Sequence, residues 1–520
     1  MINHDDNSYE IYKNFKLHKL FEHQVRKTPQ SICVSCGKKE LTYQEFNHEA
    51  NKIAYYLNVN VSSTNKIAVC LERSIESLAV LVGILKAGKS YIPLDPSSPL
   101  EQNHFILKNS GAQLVILQDK FVDLFQNMGV NLVVLQDLVE GVEEKNIDNL
   151  DEDKLNSLAA ILYTSGTTSK PKGVCLTHQG LVNRLEWMRK TFSVGERDRI
   201  LNKTSICFDI SIWEIFLPLI SGGTLICAGG DIPRSSEELV SLIKKEKVTI
   251  VHFVPQMLKC FLETKGVKEC QSLRHVFVSG DVLHMQRQKD FFKNFNCDLH
   301  NLYGPTEASI DVTHWHCKKN SELDFIPIGK AITNVFLYIL DKDLNKVKEG
   351  HVGEIYLAGI CLAQGYIDKN LNSKYFITHS DLGYLYKTGD FAEYMPDGNI
   401  KFVGRKDRQI KLGGYRVELS TAEEIISTYP GINAVAVYYI ENEPGFKQTI
   451  AYIVISHEQP EKYVVEVENY LKTKIPFYMI PMIFAAVKKI PLTKRFKVDY
   501  AKLPQLKDLK KVSKNVYQEV

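Results

Sequence analysis

Residues 158–177 read Leu158-Ala-Ala-Ile-Leu-Tyr163-Thr-Ser-Gly-Thr-Thr-Ser-Lys-Pro-Lys-Gly173-Val-Cys-Leu-Thr177. The apolar run 158–163 predicts a buried strand, and the run 174–177 a second one. Between them lie small hydroxyls, glycines and lysines. A loop of that make-up can wrap a polyphosphate: glycines let the backbone approach, hydroxyls and amides donate hydrogen bonds, and lysines neutralise charge. It is not the common nucleotide loop, which needs glycine, four residues, then Gly-Lys-Ser/Thr; the position due to be that second glycine after Gly166 is Pro171. A plain surface loop has the same composition.

Outward from this stretch, β-rich runs alternate with helical patterns. The runs 66–70, 75–87 and 90–94 follow one another in this way, and so do 224–228, 236–245 and 248–254. This alternation is the α/β signature of sheets covered by helices. From Ile326 the strands come closer together. Asp397-Gly398 lies between the runs 391–394 and 400–403, a strong hairpin signal. The charged stretch 404–416 carries the pair Gly413-Gly414, as a hinge could. Helical patterns at 418–429 and 464–474 and strand patterns at 434–439 and 449–455 are enough for a small second α+β domain.

A chain of 520 residues is too long for one ordinary core. Its 64 Lys+Arg against 61 Asp+Glu leave a net charge of +3, which supports neither a nucleic-acid nor a membrane-surface protein. No apolar run approaches the ~18 residues of a membrane span. The first residues are polar and acidic, without a signal core. Eleven scattered cysteines fit a reduced, cytoplasmic setting. Cys33-Val-Ser-Cys36 is a lone CxxC without a partner pair, a weak basis for zinc or redox chemistry.

Further loaded segments follow in order: Phe208-Asp-Ile-Ser-Ile-Trp-Glu214, Asn301-Leu-Tyr-Gly-Pro-Thr-Glu307, Tyr386-Lys-Thr-Gly-Asp390 and Pro491-Leu-Thr-Lys-Arg-Phe-Lys497. Singly, each has a dull explanation. Together with Leu41-Thr-Tyr-Gln-Glu-Phe, 85–96 and Gly353-Glu-Ile-Tyr-Leu357, their order resembles the adenylate-forming superfamily, and more closely the adenylation domains of nonribosomal peptide synthetases. The resemblance implies a large N-terminal domain, 1–405, of helix-covered sheets plus a distorted β-barrel. It implies a small mobile α+β lid domain at 406–520.

It also implies the chemistry. A carboxylate attacks the α-phosphate of ATP, giving an acyl-adenylate and pyrophosphate. Two anions must meet, so fixed donors and positive charge matter most. By resemblance Thr164, Ser165, Gly166, Thr167, Thr168 and Lys172 hold the phosphates. Glu307 helps bind Mg2+, with Thr306 beside the phosphates. Tyr303 stacks on adenine near Gly280 and Asn301. Asp390 accepts the ribose hydroxyls, Arg405 adds a ribose contact, and Lys497 bridges the reacting groups. Asp407 falls at the family's hinge, and Gly414 lines the path of a phosphopantetheine arm. The chain departs from the family at Ser169, Gly413 and Gln364, and at Phe496, where Asn-Gly normally precedes the lysine; Lys494 competes with Lys497 for that role.

Carrying the family's pocket positions across gives Asp209, Ile210, Trp213, His252, Phe277, Ser279, Leu302, Ile310, Asp311 and Lys497, a set resembling the serine-specifying pattern. Asp209 would bind the α-amino group. Trp213, Phe277 and Leu302 fill volume, and His252, Ser279 and Asp311 would offer polar atoms to a hydroxyl. On the residues alone, His252 could equally be a satisfied core histidine and Asp311 a strand cap. The expectation is a freestanding, monomeric, cytoplasmic enzyme that forms seryl-AMP from L-serine and loads a phosphopantetheinylated carrier protein in trans, since the stretch after Lys497 is too short for a carrier domain. An MbtH-like helper protein is left open. The alternatives are a D-alanine- or glycine-type carrier ligase, an acyl-CoA ligase, which Asp209 disfavours, and a carrier-binding pseudoenzyme.

Overall fold

The computed structural model describes residues 15–61, 64–140, 157–164, 170–229, 235–405, 409–443, 446–455, 460–493 and 498–519. The chain divides into two compact units that part between Lys406 and Asp407, with two short stretches before residue 172 grouped with the smaller one.

The larger unit contains a six-stranded sheet in the order Asn131–Val134, Leu114–Leu117, Lys66–Cys70, Ser90–Pro93, Leu158–Thr164, Lys172–Thr177. Its first five strands pair in parallel, and the run read as a buried strand lies inside it. The helix Ile75–Lys86 is buried along nearly its whole circumference, as an almost uninterrupted apolar helix must be. It crosses the helix Tyr43–Asn60 at Gly83, where an added Cβ would lie 2.7 Å from the Ile53 Cβ. Both helices begin with reciprocal side-chain caps, Thr42 with Glu45 and Ser74 with Ser77.

A nine-stranded sheet runs Lys330–Ala331, Thr313–Cys317, Asp298–Tyr303, His275–Val278, Ile250–Phe253, Arg199–Asn202, Thr224–Cys227, Ile32–Cys36, Lys39–Thr42. From Asp298–Tyr303 to Ile32–Cys36 its strands are parallel. Parallel sheets bind ligands at the carboxyl ends of their strands. His252, Phe277, Ser279, Leu302 and Tyr303 all lie at or just beyond those ends. The helix Ile210–Ser221 follows Arg199–Asn202 and is apolar all round; each of its fully buried large side chains contributes roughly 1.5–3 kcal/mol.

The barrel expected from the resemblance is an antiparallel five-stranded sheet, ordered Val335–Leu340, Gly353–Gly359, Gly383–Tyr394, Phe376–His379, with Ile400–Arg405 also paired to Gly383–Tyr394. The turn at Asp397-Gly398 joins two antiparallel strands, as its sequence predicts. Cys33 and Cys36 lie on the strand Ile32–Cys36, and among the described residues no group of three or more metal-ligating side chains includes either of them.

The smaller unit opens with the hairpin Gln409–Leu412 and Tyr415–Glu418. Its turn is Gly413-Gly414, with φ of +58° and +90°. Two successive positive φ values define the tight turn that matches strand twist, so local geometry alone demands both glycines. A five-stranded sheet follows in the order Ile432–Glu443, Phe446–Ile455, Ile483–Ala486, Val516–Gln518, Lys510–Lys511. One apolar cluster joins it to the helices Leu419–Ser427 and Pro460–Lys474 through Ile426, Val467, Leu471 and Phe484. No helix among the described residues is long and apolar enough to cross a membrane.

Candidate active site

The short turn Thr306–Ala308 follows the strand Asp298–Tyr303 and carries two of the expected residues. Glu307 is buried, and its Oε1 accepts a 2.6 Å hydrogen bond from the Tyr366 hydroxyl. Thr306 Oγ1 donates to Asp209 Oδ2 at 2.6 Å. Asp209 precedes the helix Ile210–Ser221 without capping it, so its carboxylate is turned to Thr306 rather than to its own helix. The turn is crowded. A Cβ on Gly304 would come within 2.5 Å of the Asp311 Cα, and one on Gly180 would collide with the Ser309 hydroxyl. Ser309 donates to the Cys361 carbonyl at 2.7 Å. Next to it Ile310 holds φ of +82°, which a β-branched residue adopts only under strain.

Asp390 anchors a second cluster. Gly389, at φ +76°, lies just before it, where the ladder to Gly353–Gly359 is irregular. Its Oδ2 accepts from the Tyr303 hydroxyl at 2.6 Å, and its Oδ1 from Arg405 Nη1 at 2.6 Å. Burial and the Asp390 charge push the Tyr303 phenol up, so it stays a donor. Both carboxylate oxygens are thus engaged, though each keeps a further lone pair able to accept. Asn301 donates to the Pro327 carbonyl at 2.8 Å. Gly280 follows the strand His275–Val278 with φ of +87°.

Four of the expected pocket residues, Trp213, His252, Phe277 and Ser279, lie against one another. Trp213 packs edge-on against His252 and Phe277, with ring centroids 6.1 Å and 5.7 Å away. His252 Nε2 lies 3.0 Å from Ser279 Oγ, and both are buried. Burial, reinforced by the Lys203 and Arg184 cations, holds the His252 imidazole well below its ordinary pKa. The Trp213 Nε1 is buried and has no hydrogen-bond partner among the described residues. Leu302 and Ile310 are buried in the same apolar core, and Ile210 packs against it from a partly exposed position.

Asp311 differs from its sequence reading. Rather than standing free for a hydroxyl, its Oδ2 accepts from Arg184 Nη2 at 2.9 Å, and both side chains are sealed from solvent. Arg184 comes from the helix His178–Thr191 and also lies over the Trp187 ring. Its Nε and Nη1 have no partner among the described residues.

Sequence reading missed Arg184 and Tyr366, and gave no role to Glu214. The Glu214 carboxylate accepts from the backbone N–H of Lys203 and Thr204, from the Thr204 hydroxyl and from Asn202, at 2.7–3.1 Å. This fixes the segment that leads to Asp209. An acid in the apolar stretch 208–214 was the available signal.

On the phosphate side, Thr164 ends its strand with Oγ1 buried and unpartnered among the described residues. Lys172 donates to the Tyr375 hydroxyl at 3.0 Å and lies over that ring. Ser165, Gly166, Thr167, Thr168, Asp407, Lys494 and Lys497 lie outside the described residues.

Residues 21–367 match the AMP-binding enzyme family, and residues 421–497 match the AMP-binding enzyme C-terminal domain. The chain belongs to the AMP-binding enzyme family. Zwittermicin A synthase ZmaJ of Bacillus cereus is 37% identical over 497 residues, 93% of either chain. Tyrocidine synthase 3 of Brevibacillus parabrevis is 35% identical over 512 residues; the match takes in 98% of this chain but spans 8% of that protein. The fused adenylation-PCP di-domain NpsA-ThdA from Klebsiella oxytoca superposes with a TM-score of 0.83 at 25% identity, covering 91% of this chain and 94% of that one. As an AMP-binding enzyme the chain is an ATP-dependent, AMP-forming ligase of the amino-acid adenylation type found in nonribosomal peptide synthetases.

Proposed function

We propose that this adenylation domain activates L-serine. The observation that carries the reading is the buried His252–Ser279 pair beside Trp213 and Phe277, two hydroxyl-binding groups in a pocket otherwise filled by rings. Asp209, oriented by Thr306, takes the α-amino group. The serine carboxylate attacks the α-phosphate of ATP and pyrophosphate leaves. Lys497 steadies the charge in flight. Asp390, Arg405 and Tyr303 hold the ribose and adenine, with Gly280 and Asn301 alongside. Glu307, a buried hard oxygen donor, is the residue that would hold Mg2+, whose charge offsets that of the phosphates.

The seryl group then passes to a carrier-protein thiol, which attacks the carbonyl and releases AMP. Its phosphopantetheine arm runs past Gly414, and the small domain, 406–520, pivots at Asp407 against the core, 1–405. We take the carrier to act in trans. The test is pyrophosphate exchange with all amino acids. Serine should exceed every rival, and a preference for another amino acid overturns the assignment.

A second reading has its own observation. Arg184 occupies Asp311, and Ser279 and His252 satisfy each other. A pocket whose polar groups are already paired also suits a small side chain without a hydroxyl, as in an alanine- or glycine-type ligase. Alanine above serine in the same exchange assay selects it.

A further inference from the structure

At the amino ends of the strands whose carboxyl ends bear the pocket, three neighbouring strands turn four histidines and an aspartate to one face. The register brings this about. His275 pairs with Asp298, His300 pairs with His316, and His314 and His316 are two apart on one strand. Residues paired across strands share a face, as do residues two apart.

We propose that His275, Asp298 and His300 form a site for one divalent transition-metal ion, with Zn2+ the best match. His275 Nδ1 lies 3.1 Å from His300 Nε2 and 3.4 Å from Asp298 Oδ2. All three ligand atoms fall within 4.8 Å of one another. Bonds of ~2.0–2.2 Å to a tetrahedral zinc put neighbouring ligand atoms about 3.3–3.6 Å apart, so little movement is needed. Two imidazoles and one carboxylate suit Zn2+, Co2+, Ni2+ or Cu2+ and not Mg2+, which prefers oxygen ligands throughout. The site therefore stands apart from any ion carried with ATP.

Supporting contacts of the kind that orient metal ligands are present. His300 Nδ1 lies 3.0 Å from His314 Nε2, so His300 Nε2, which otherwise pairs with His275 Nδ1, is the nitrogen that would turn to the ion. The other Asp298 oxygen is 3.3 Å from His316 Nε2. Asp298 and His316 are about half exposed, 48% and 51%, so an ion can enter from solvent and land on the buried His300. Binding has two costs: the hydrogen bond between His275 Nδ1 and His300 Nε2 is exchanged for two bonds to the ion, and a contact of Arg274 is lost. Arg274 Nη2 lies 3.1 Å from His275 Nε2, and a metal on Nδ1 puts the proton on Nε2, so that contact is given up. Arg274 keeps its Asp198 and Phe192 contacts. His300 also stacks on Phe277, centroids 4.8 Å apart, so a bound ion would brace a wall of the pocket from behind.

The test uses the tag-free full chain, stripped by a chelator and titrated with Zn2+ in a calorimeter, and with Co2+ followed by visible absorption. One ion per chain should bind at micromolar concentration, with a tetrahedral cobalt spectrum lacking thiolate charge-transfer bands. His275→Gln and the isosteric Asp298→Asn should each weaken binding at least ~10-fold while melting cooperatively. Asp298→Asn should keep its pyrophosphate-exchange rate. Absence of stoichiometric binding by the wild type overturns the site and leaves a hydrogen-bonded imidazole chain. Unchanged affinity in folded Asp298→Asn, or a thiolate spectrum, overturns it as well.

Discussion

Arg184 donates to Asp311 across 2.9 Å from 127 residues away in sequence, and neither side chain sees solvent. Breaking a buried pair by removing one partner costs about 3–5 kcal/mol, because the other charge is left uncompensated. Asp311→Ala should therefore lower the urea midpoint sharply. Arg184→Leu with Asp311→Leu should restore most of the loss. A double variant as unstable as the single one shows that the charge pair is not what holds these segments together.

The Thr306–Asp209 hydrogen bond makes its own prediction. A bond to a charged group is worth about 1.5–3 kcal/mol. Thr306→Val keeps the shape and removes the donor, so pyrophosphate exchange should fall by roughly 10–100-fold. Wild-type exchange by a folded Thr306→Val protein means that Asp209 needs no such positioning.

His252 gives the pH dependence a sign. The unfolded chain protonates this imidazole near pH 6.5, whereas the folded chain resists because burial holds its pKa well down. Above pH 6.5 the group adds no pH dependence. Below it, unfolding takes up a proton, and stability should drop by about 1.4 kcal/mol per pH unit from this residue alone. Urea unfolding of His252→Gln from pH 7 to 5 should be less acid-sensitive than wild type by one proton. Equal slopes mean that His252 is protonated in the folded state.

Lys497 and Lys494 compete for one role, and kinetics decides between them. If Lys497 stabilises charge only as the carboxylate attacks, Lys497→Ala loses about 10²–10³-fold, mainly in kcat. Lys494→Ala should then stay near wild type. The reverse pattern moves the register at Phe496 by three residues.

Local signals were legible. The run 158–163 became a strand of a parallel sheet, and Asp397-Gly398 became a hairpin turn, because each depends on near neighbours in the chain. The pairings were not. Asp311 reads as free until Arg184 arrives from a distant helix, and nothing near Lys172 in the chain announces Tyr375, 203 residues on, which accepts its hydrogen bond. Gly413-Gly414 suggested a hinge, yet a two-residue turn asks for the same glycines. Ile310 gave no sign of its positive φ, since a β-branched residue ordinarily argues for the opposite.

Gly180 has no side chain because Ser309 Oγ and the carbonyls of Ile360 and Cys361 occupy the place of one. Arg184 stands one helical turn further along the same face of the helix His178–Thr191. The hydrogen atom of Gly180 therefore acts as the gauge of a caliper. It sets how far the helix stands off the turn, and through Arg184 where Asp311 rests. The position of a buried acid is thus set in part by the absence of a side chain on another element.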